Sequence, residues 1–172
     1  MSDKPEQDLA RWLFAQGIDP AHTSHPPIGP VKIARIYKLE NGMFDFCLGP
    51  RGELAFIHPI YGHEYFDPYD TVAWCRSAPA SLYRHTGVAA WLGEDAVDLA
   101  YHSGHRLNVH VTPLAWLRAA GDGAVMLEPE SCRFDLMRLE TIVAPTLRFG
   151  GYLDALVRPK PSVLPRVKVA VR

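Results

Sequence analysis

The stretch that decides the fold lies at residues 31–60 and reads VKIARIYKLENGMFDFCLGPRGELAFIHPI. Apolar and polar side chains alternate from Val31 to Leu39, which is the pattern of a half-buried β-strand. The dipeptide Asn41-Gly42 that follows is the strongest short signal for a two-residue hairpin turn. We therefore expect an antiparallel hairpin at the centre of the fold.

The register of this hairpin follows from placing Glu40 opposite Met43. The implied pairs are Leu39 with Phe44, Tyr37 with Phe46, and Lys38 with Asp45. Apolar side chains then face each other on one side, and opposite charges meet on the other. A second turn at residues 49–52 leads into a strand over residues 53–60, so the three strands are predicted to form a β-meander.

The rest of the chain is predicted as short helices and strands around this meander. Residues 1–17 form an N-terminal helix that ends at Gly17, and residues 18–30 form a Pro-rich, extended connector. Residues 78–92 and 112–127 share a weak pattern of Pro, Arg, Gly and Ala, read as two helix-strand units. Further strands are expected at 71–75, 107–111 and 166–172, with a helix after Pro145 that the glycines at 150 and 151 interrupt. The sequence thus predicts a single α+β domain over residues 1–172, with a mixed or antiparallel sheet and several short helices.

Composition places the chain among ordinary globular proteins. Of its 172 residues, 48% are hydrophobic and 22% are charged, and the net charge is −1. We expect a cytoplasmic protein without membrane association, because no apolar run is long enough for a membrane span or a signal peptide. The three cysteines, Cys47, Cys75 and Cys132, fit neither a disulfide framework nor a zinc site and are expected to be buried thiols.

Known catalytic motifs are absent from the sequence: it has no Gly-rich phosphate loop, nucleophile elbow or His-Glu-x-x-His helix. Residues 58–70 are the stretch richest in imidazole, carboxylate and phenol side chains, and they join two predicted strands. The residues expected to bind a ligand or partner there are Tyr61, His63, Glu64, Tyr65, Asp67 and Tyr69. Convergence of His58, His63 and Asp67 would instead give a two-His, one-carboxylate metal site, but a solvated loop is the stronger alternative. We expect no cofactor.

Two other features are candidates for binding. Arg35 shares the apolar face of its strand, where it snorkels to the edge, pairs with a buried acid, or points into a cleft. The basic C-terminal segment, residues 158–172, contains Arg158, Lys160, Arg166, Lys168 and Arg172 and no acid, which leaves −6 on the preceding residues. Such a segment suits phosphates or an acidic partner, or it protects an edge strand from aggregation.

Three stretches carry a resemblance to a known group of proteins. They are IARI at residues 33–36, the run from DTVAW at 70–74 to GVAAWLG at 87–93, and TPLAWLRA at 112–119. They resemble short, uncharacterised proteins of proteobacterial genomes and prophages. The resemblance implies a bacterial or mobile-element setting and no function.

The sequence therefore favours a non-enzymatic binding or accessory protein of a bacterial or phage-type system. Its expected partner is a protein or a nucleic acid, bound by the loop at residues 61–70 and by the basic tail. One alternative is a small metal-dependent hydrolase that uses His58, His63, Glu64 and Asp67. Another is a structural subunit that forms a homo-oligomer through the strand at residues 166–172.

Overall fold

The structure is a computed structural model that describes residues 4–19, 21–25, 27–61 and 67–158. Its helices are α1 (Lys4–Ala15), α2 (Glu94–Ser103), α3 (Pro113–Arg118), α4 (Pro129–Leu136) and α5 (Leu147–Val157). Its strands are β1 (Lys32–Lys38), β2 (Phe44–Phe46), β3 (Glu53–Ile60), β4 (Asp70–Cys75), β5 (Ala78–Arg84), β6 (Trp91–Leu92), β7 (Leu107–His110), β8 (Ala124–Met126) and β9 (Ile142–Val143). The predicted α+β class is confirmed.

The first sheet has five antiparallel strands in the order β2-β1-β3-β4-β5. It curls until its edges approach each other, and the backbone N–H of Arg84 in β5 donates to the carbonyl of Gly42, 3.2 Å away, next to β2. The buried cluster inside the curl includes the small side chains of Ala55, Ala73 and Cys75. Small side chains leave the room that a curled five-stranded sheet needs on its inner face.

The predicted hairpin register is wrong by one residue. The observed pairs are Lys38 with Phe44, Tyr37 with Asp45 and Ile36 with Phe46. The connecting loop is longer than two residues, since the N–H of Leu39 donates to the carbonyl of Met43 at 2.9 Å. In this register Lys38 shares a face with the buried Ile36, and its Nζ lies 2.6 Å from Glu53 Oε2 on β3. The ion pair with Glu53 thus replaces the predicted pairing of Lys38 with Asp45.

The order of the first three strands also differs from a meander. β3 pairs with β1, so β1 lies between β2 and β3. The seven-residue β1 can pair along both of its edges, whereas β2 has only three residues. The alternation predicted for residues 53–60 is confirmed, because Phe56 and His58 face one side and Ala55 and Ile57 face the other.

The second sheet has the order β6-β8-β7-β9, with β6 antiparallel to β8 and with β7 parallel to both β8 and β9. The predicted helix-strand unit at residues 112–127 is confirmed as α3 and β8, and the hydroxyl of Thr112 accepts the N–H of Ala115 as a helix cap. In the unit predicted at residues 78–92 the helix is wrong, because residues 78–84 form strand β5, and the strand is confirmed only over its last two residues, as β6. Pro79 is accommodated there because β5 pairs with only one strand along its length.

A shared core joins the two sheets. It contains Phe56 and Trp74 from the first sheet, and Trp116 and Val125 from the part of the chain that builds the second. Helix α1 packs on this core through Leu9, Leu13 and Trp12, which confirms the predicted N-terminal helix, and Gly17 follows the helix with φ of +82°. On its exposed side, Arg11 Nη1 lies 3.1 Å from Asp8 Oδ1.

Three further sequence-based expectations need correction. The described residues of the connector at 18–30 contain turns, at residues 21–25 and 27–28, rather than extended chain only, and the His22 N–H donates to the Asp19 carbonyl at 3.1 Å. Helix α5 runs through both glycines and begins after its cap, Thr146. Cys47 is half-buried, although Cys75 and Cys132 are buried as predicted. The strand predicted at residues 166–172 lies outside the described residues.

No helix in the described part of the chain has the length and apolar character needed to cross a membrane.

The shared core predicts a large cost for removing one of its aromatic rings. Phe56 is fully buried, and its ring centroid lies 4.5 Å from that of Trp74 and 5.9 Å from that of Trp12. We expect Phe56→Ala to lower the free energy of unfolding by about 3–5 kcal/mol in urea titrations, because it leaves a cavity. The matched control, Leu48→Ala, removes a fully exposed side chain and should change stability by less than about 0.5 kcal/mol. Equal effects of the two substitutions would contradict this core.

Candidate functional site

A pocket of about 380 Å³ lies where the two sheets and the connector meet. Its walls come from connector residues 24 and 27–30, the end of β3, residues 92–95 and Trp116 of α3. The volume falls within the range of about 300–1,000 Å³ that small-ligand sites occupy. Tyr61, the first residue of the predicted binding loop, is part of the wall and is 40% exposed. The pocket therefore adjoins this loop at its first residue.

The acidic side of the pocket is the start of helix α2. Gly93 precedes the helix with φ of +89°, and a Cβ at this position would lie 2.7 Å from the carbonyl oxygen of Gly123. Only glycine fits both the left-handed backbone and the close approach. The turn at Gly93 brings Glu94 and Asp95 to the pocket, Glu94 half-buried and Asp95 exposed.

The phenol of Tyr69 holds the carboxylate of Glu94. Its hydroxyl donates to Glu94 Oε2, which joins the strand connection before β4 to the start of α2. Burial raises the pKa of Tyr69 far above its usual value, and the hydrogen bond and negative charge of Glu94 raise it further. The phenol therefore remains protonated at physiological pH and acts as a permanent donor to Glu94.

A second carboxylate, that of Asp70, lies in the interior directly beside Tyr69 and is only 1% exposed. It accepts backbone N–H groups from Thr71 at 2.7 Å, from Thr86 at 2.9 Å and from Ala89 at 2.9 Å. Burial by itself would raise the pKa of Asp70, but the three hydrogen bonds outweigh it and hold the pKa below its usual 3.8. Asp70 is thus a structural anion that fixes the chain between β5 and β6.

His58 lies behind the pocket wall and is fully buried. Its Nε2 accepts the indole N–H of Trp74 at 2.8 Å, and its ring centroid lies 6.0 Å from that of Trp116. Because an indole only donates, the imidazole is neutral and carries its proton on Nδ1. Nδ1 has no hydrogen-bond partner within the described chain, although the backbone of Ile28 lies next to it. Burial lowers the pKa of His58 from 6.5 to about 4.

The residues predicted for the binding loop have different environments. Tyr61 lines the pocket, Tyr69 binds Glu94, and Asp67 is exposed to solvent. His63, Glu64 and Tyr65 lie outside the described residues. The metal site predicted from His58, His63 and Asp67 stays a prediction, because His63 lies outside the described residues. Nε2 of His58, however, already accepts the indole N–H of Trp74. In the part of the chain that the structure describes, no three His, Cys, Asp or Glu side chains are arranged to hold a metal ion.

Arg35 and Arg158, which belong to the two other predicted binding features, do not line this pocket. Arg35 is half-buried and donates through Nη1 to the carbonyl of Gly52 at 2.9 Å, so it binds the turn before β3. Arg158 is exposed, and its Nη2 lies 2.5 Å from Asp154 Oδ2 in α5. The remaining basic residues of the tail lie outside the described residues. They are Lys160, Arg166, Lys168 and Arg172.

The sequence did not identify the acidic side of the pocket. Glu94, Asp95 and Trp116 come from residues 33 to 55 positions beyond Tyr61 in the chain. Gly93 followed by two acids is a recognisable helix start, and it indicates α2. No local pattern shows that this helix start and Trp116 meet the end of β3, because that proximity depends on how the sheets pack.

Comparison with protein-family models, with curated proteins and with solved structures gives no match to this chain. The functional argument therefore depends on the geometry of the pocket.

The buried His58 predicts a loss of stability in mildly acidic solution. The unfolded chain takes up a proton near pH 6.5, whereas folded His58 does so only near pH 4. The stabilisation that neutral His58 gives is complete above pH 6.5. As the pH falls from 6.5 towards 4, the free energy of unfolding decreases by about 3 kcal/mol in total. Urea unfolding at pH 7.0, 5.5 and 4.5 should show this decline. His58→Gln keeps an acceptor for Trp74 and should remove the decline, whereas His22→Gln, at an exposed position, should retain it.

Asp70 predicts a separate effect at lower pH. The pKa of Asp70 in the folded chain lies below 3.8. Its contribution to the free energy of unfolding is therefore present above pH 3.8 and is lost as the pH falls through the folded pKa. Asp70→Asn should lower the unfolding free energy at pH 7 by about 2–3 kcal/mol, because the amide cannot accept all three N–H groups. It should also flatten the stability profile below pH 3.8. Asp67→Asn, at an exposed position, is the control and should change neither value.

Proposed function

We propose that this chain is a non-enzymatic binding protein that recognises a protein partner at the pocket beside Tyr61. The observation that carries the proposal is the composition of the pocket, which joins an apolar wall to two carboxylates. Buried apolar walls with a few oriented polar groups are the usual architecture of a recognition site. A bacterial or phage-type accessory role, suggested by the sequence resemblance, is part of the same proposal.

Charge favours a protein partner over a nucleic acid at this site. Glu94 and Asp95 line the pocket, and none of the described residues that line it carries a positive charge. Phosphate groups would be repelled by the two carboxylates, since nucleic-acid affinity comes largely from basic contacts to phosphates. The positive end of the α2 dipole, equivalent to about half a charge, does not offset two negative charges.

The aromatic group at the edge of the pocket supports the same proposal. Tyr61 presents a partly exposed ring and a hydroxyl, a combination that is enriched at protein interfaces. Tyr69 fixes the carboxylate of Glu94, so a partner meets a group that is already oriented. Preorganisation of this kind lowers the entropic cost of binding.

The test is selection of peptides from a random display library on the immobilised full chain, followed by affinity measurement with the purified peptides. Asp95→Arg reverses an exposed charge at the pocket and should weaken binding at least about tenfold, or 1.4 kcal/mol. Glu40→Arg makes the same charge change on the hairpin loop, outside the pocket, and should leave affinity within about twofold.

Three results would overturn the proposal. The first is the absence of any enriched peptide, and the second is equal affinity for the wild type and the Asp95→Arg variant. The third is salt-dependent binding of duplex DNA that becomes tighter in Asp95→Arg, which would assign the surface to nucleic acid.

A further inference from the structure

We infer that the pocket binds the side chain of a single lysine or arginine of the partner, with its cationic end at Glu94 and Asp95 and its aliphatic stem along the apolar wall. This inference rests on the proposed function and specifies the chemical group that the site recognises. The observations behind it are the division of the pocket into an apolar and an acidic part, and the orientation of Glu94.

The apolar part suits an aliphatic stem. The accessible apolar surface of the pocket comes from Pro27, Pro30 and Pro59, which are exposed or half-buried. Ile28 and Trp116 lie beneath this surface as an almost fully buried floor, and the indole N–H of Trp116 donates to the carbonyl of Gly123 at 2.8 Å. Lysine and arginine carry three or four methylene groups that gain from such a surface while the charged end stays polar.

The acidic part suits a cationic end. Glu94 is half-buried, and Tyr69 binds one of its two oxygens, so its carboxylate is held in one orientation. Asp95 lies beside it at an exposed position. A carboxylate in this setting forms charge-assisted hydrogen bonds, which are roughly twice as strong as neutral ones.

The interior behind the pocket does not oppose a cation. His58 lies next to Trp116 and the Ile28 backbone, and it is neutral at physiological pH because burial lowers its pKa to about 4. Its unpartnered Nδ1 is fully buried on the side where the connector forms the pocket wall. Among the described residues that line the pocket or lie behind it, the two carboxylates therefore supply the charge, and His58 adds none.

A protein side chain fits this division better than a free polyamine. Polyamines carry an ammonium group every three or four carbons, so binding one would desolvate a charge against the apolar wall of Pro27, Pro30 and Pro59. A lysine or arginine side chain has its single charge at one end. The acidic groups likewise lie at one end of the pocket, at the start of α2.

The test is an NMR titration of the full-length, ¹⁵N-labelled chain with four amides that differ in charge. Nα-acetyl-lysine amide and Nα-acetyl-arginine amide are the cationic probes, and Nα-acetyl-norleucine amide and Nα-acetyl-citrulline amide are their neutral counterparts. We expect the cationic probes to shift the indole N–H signal of Trp116 and to bind at least about tenfold more tightly than the neutral ones.

Two variants separate the charge from the shape of the pocket. The double variant Glu94→Gln and Asp95→Asn should reduce the affinity for the cationic probes about tenfold, to that of the neutral probes. The matched double variant Glu40→Gln and Asp45→Asn removes two carboxylates from the β1-β2 hairpin and should have no effect. Tyr69→Phe frees the Glu94 carboxylate and should weaken cationic probes about threefold while leaving neutral probes unchanged, which a purely structural role would not do.

The outcomes distinguish this inference from the proposed function. Equal affinity for cationic and neutral probes, no shift with any probe, or tighter binding of spermidine than of the lysine amide would overturn the inference. Peptides selected by display would still bind in an Asp95-dependent way if only the inference failed. If the proposed function failed, the display peptides would instead bind the wild type and the Asp95→Arg variant with equal affinity.

Discussion

The buried carboxylate of Asp70 is the interaction on which the junction of the two sheets depends. It accepts three backbone N–H groups, one from β4 and two from the segment that leads to β6. A carboxylate removed from water is stable only when its oxygens are satisfied in this way. The backbone between β5 and β6 is therefore fixed relative to the first sheet, and the second sheet begins from a defined position.

The pocket is a consequence of that junction. Tyr69 precedes Asp70, and its phenol binds Glu94 at the start of α2, only two residues after β6. Arg84 adds a second connection, since its Nη2 lies 3.0 Å from Glu128 before α4. These contacts hold the acidic start of α2 opposite the end of β3, and the space left between them is the proposed binding pocket.

Sequence patterns predicted elements where a local rule and the tertiary environment agree. Helix α1, strand β3 and helix α3 are such cases. The predicted hairpin register was wrong because Ile36 and Phe44 share the buried face, whereas Tyr37 and Leu39, which the prediction placed there, are exposed. The helix predicted after Pro79 failed because residues 78–84 complete the edge of a sheet, where proline is tolerated.

By itself, the sequence determined the α+β class and most of the strands. These features depend on periodicity and turn chemistry, which are local properties of the chain. Only the tertiary structure decided that His58 belongs to the core with Trp74, and that Glu94, Asp95 and Trp116 meet Tyr61. The physical reason is that burial and charge proximity arise between segments far apart in the chain, where packing of the two sheets, and not any local pattern, sets the distances.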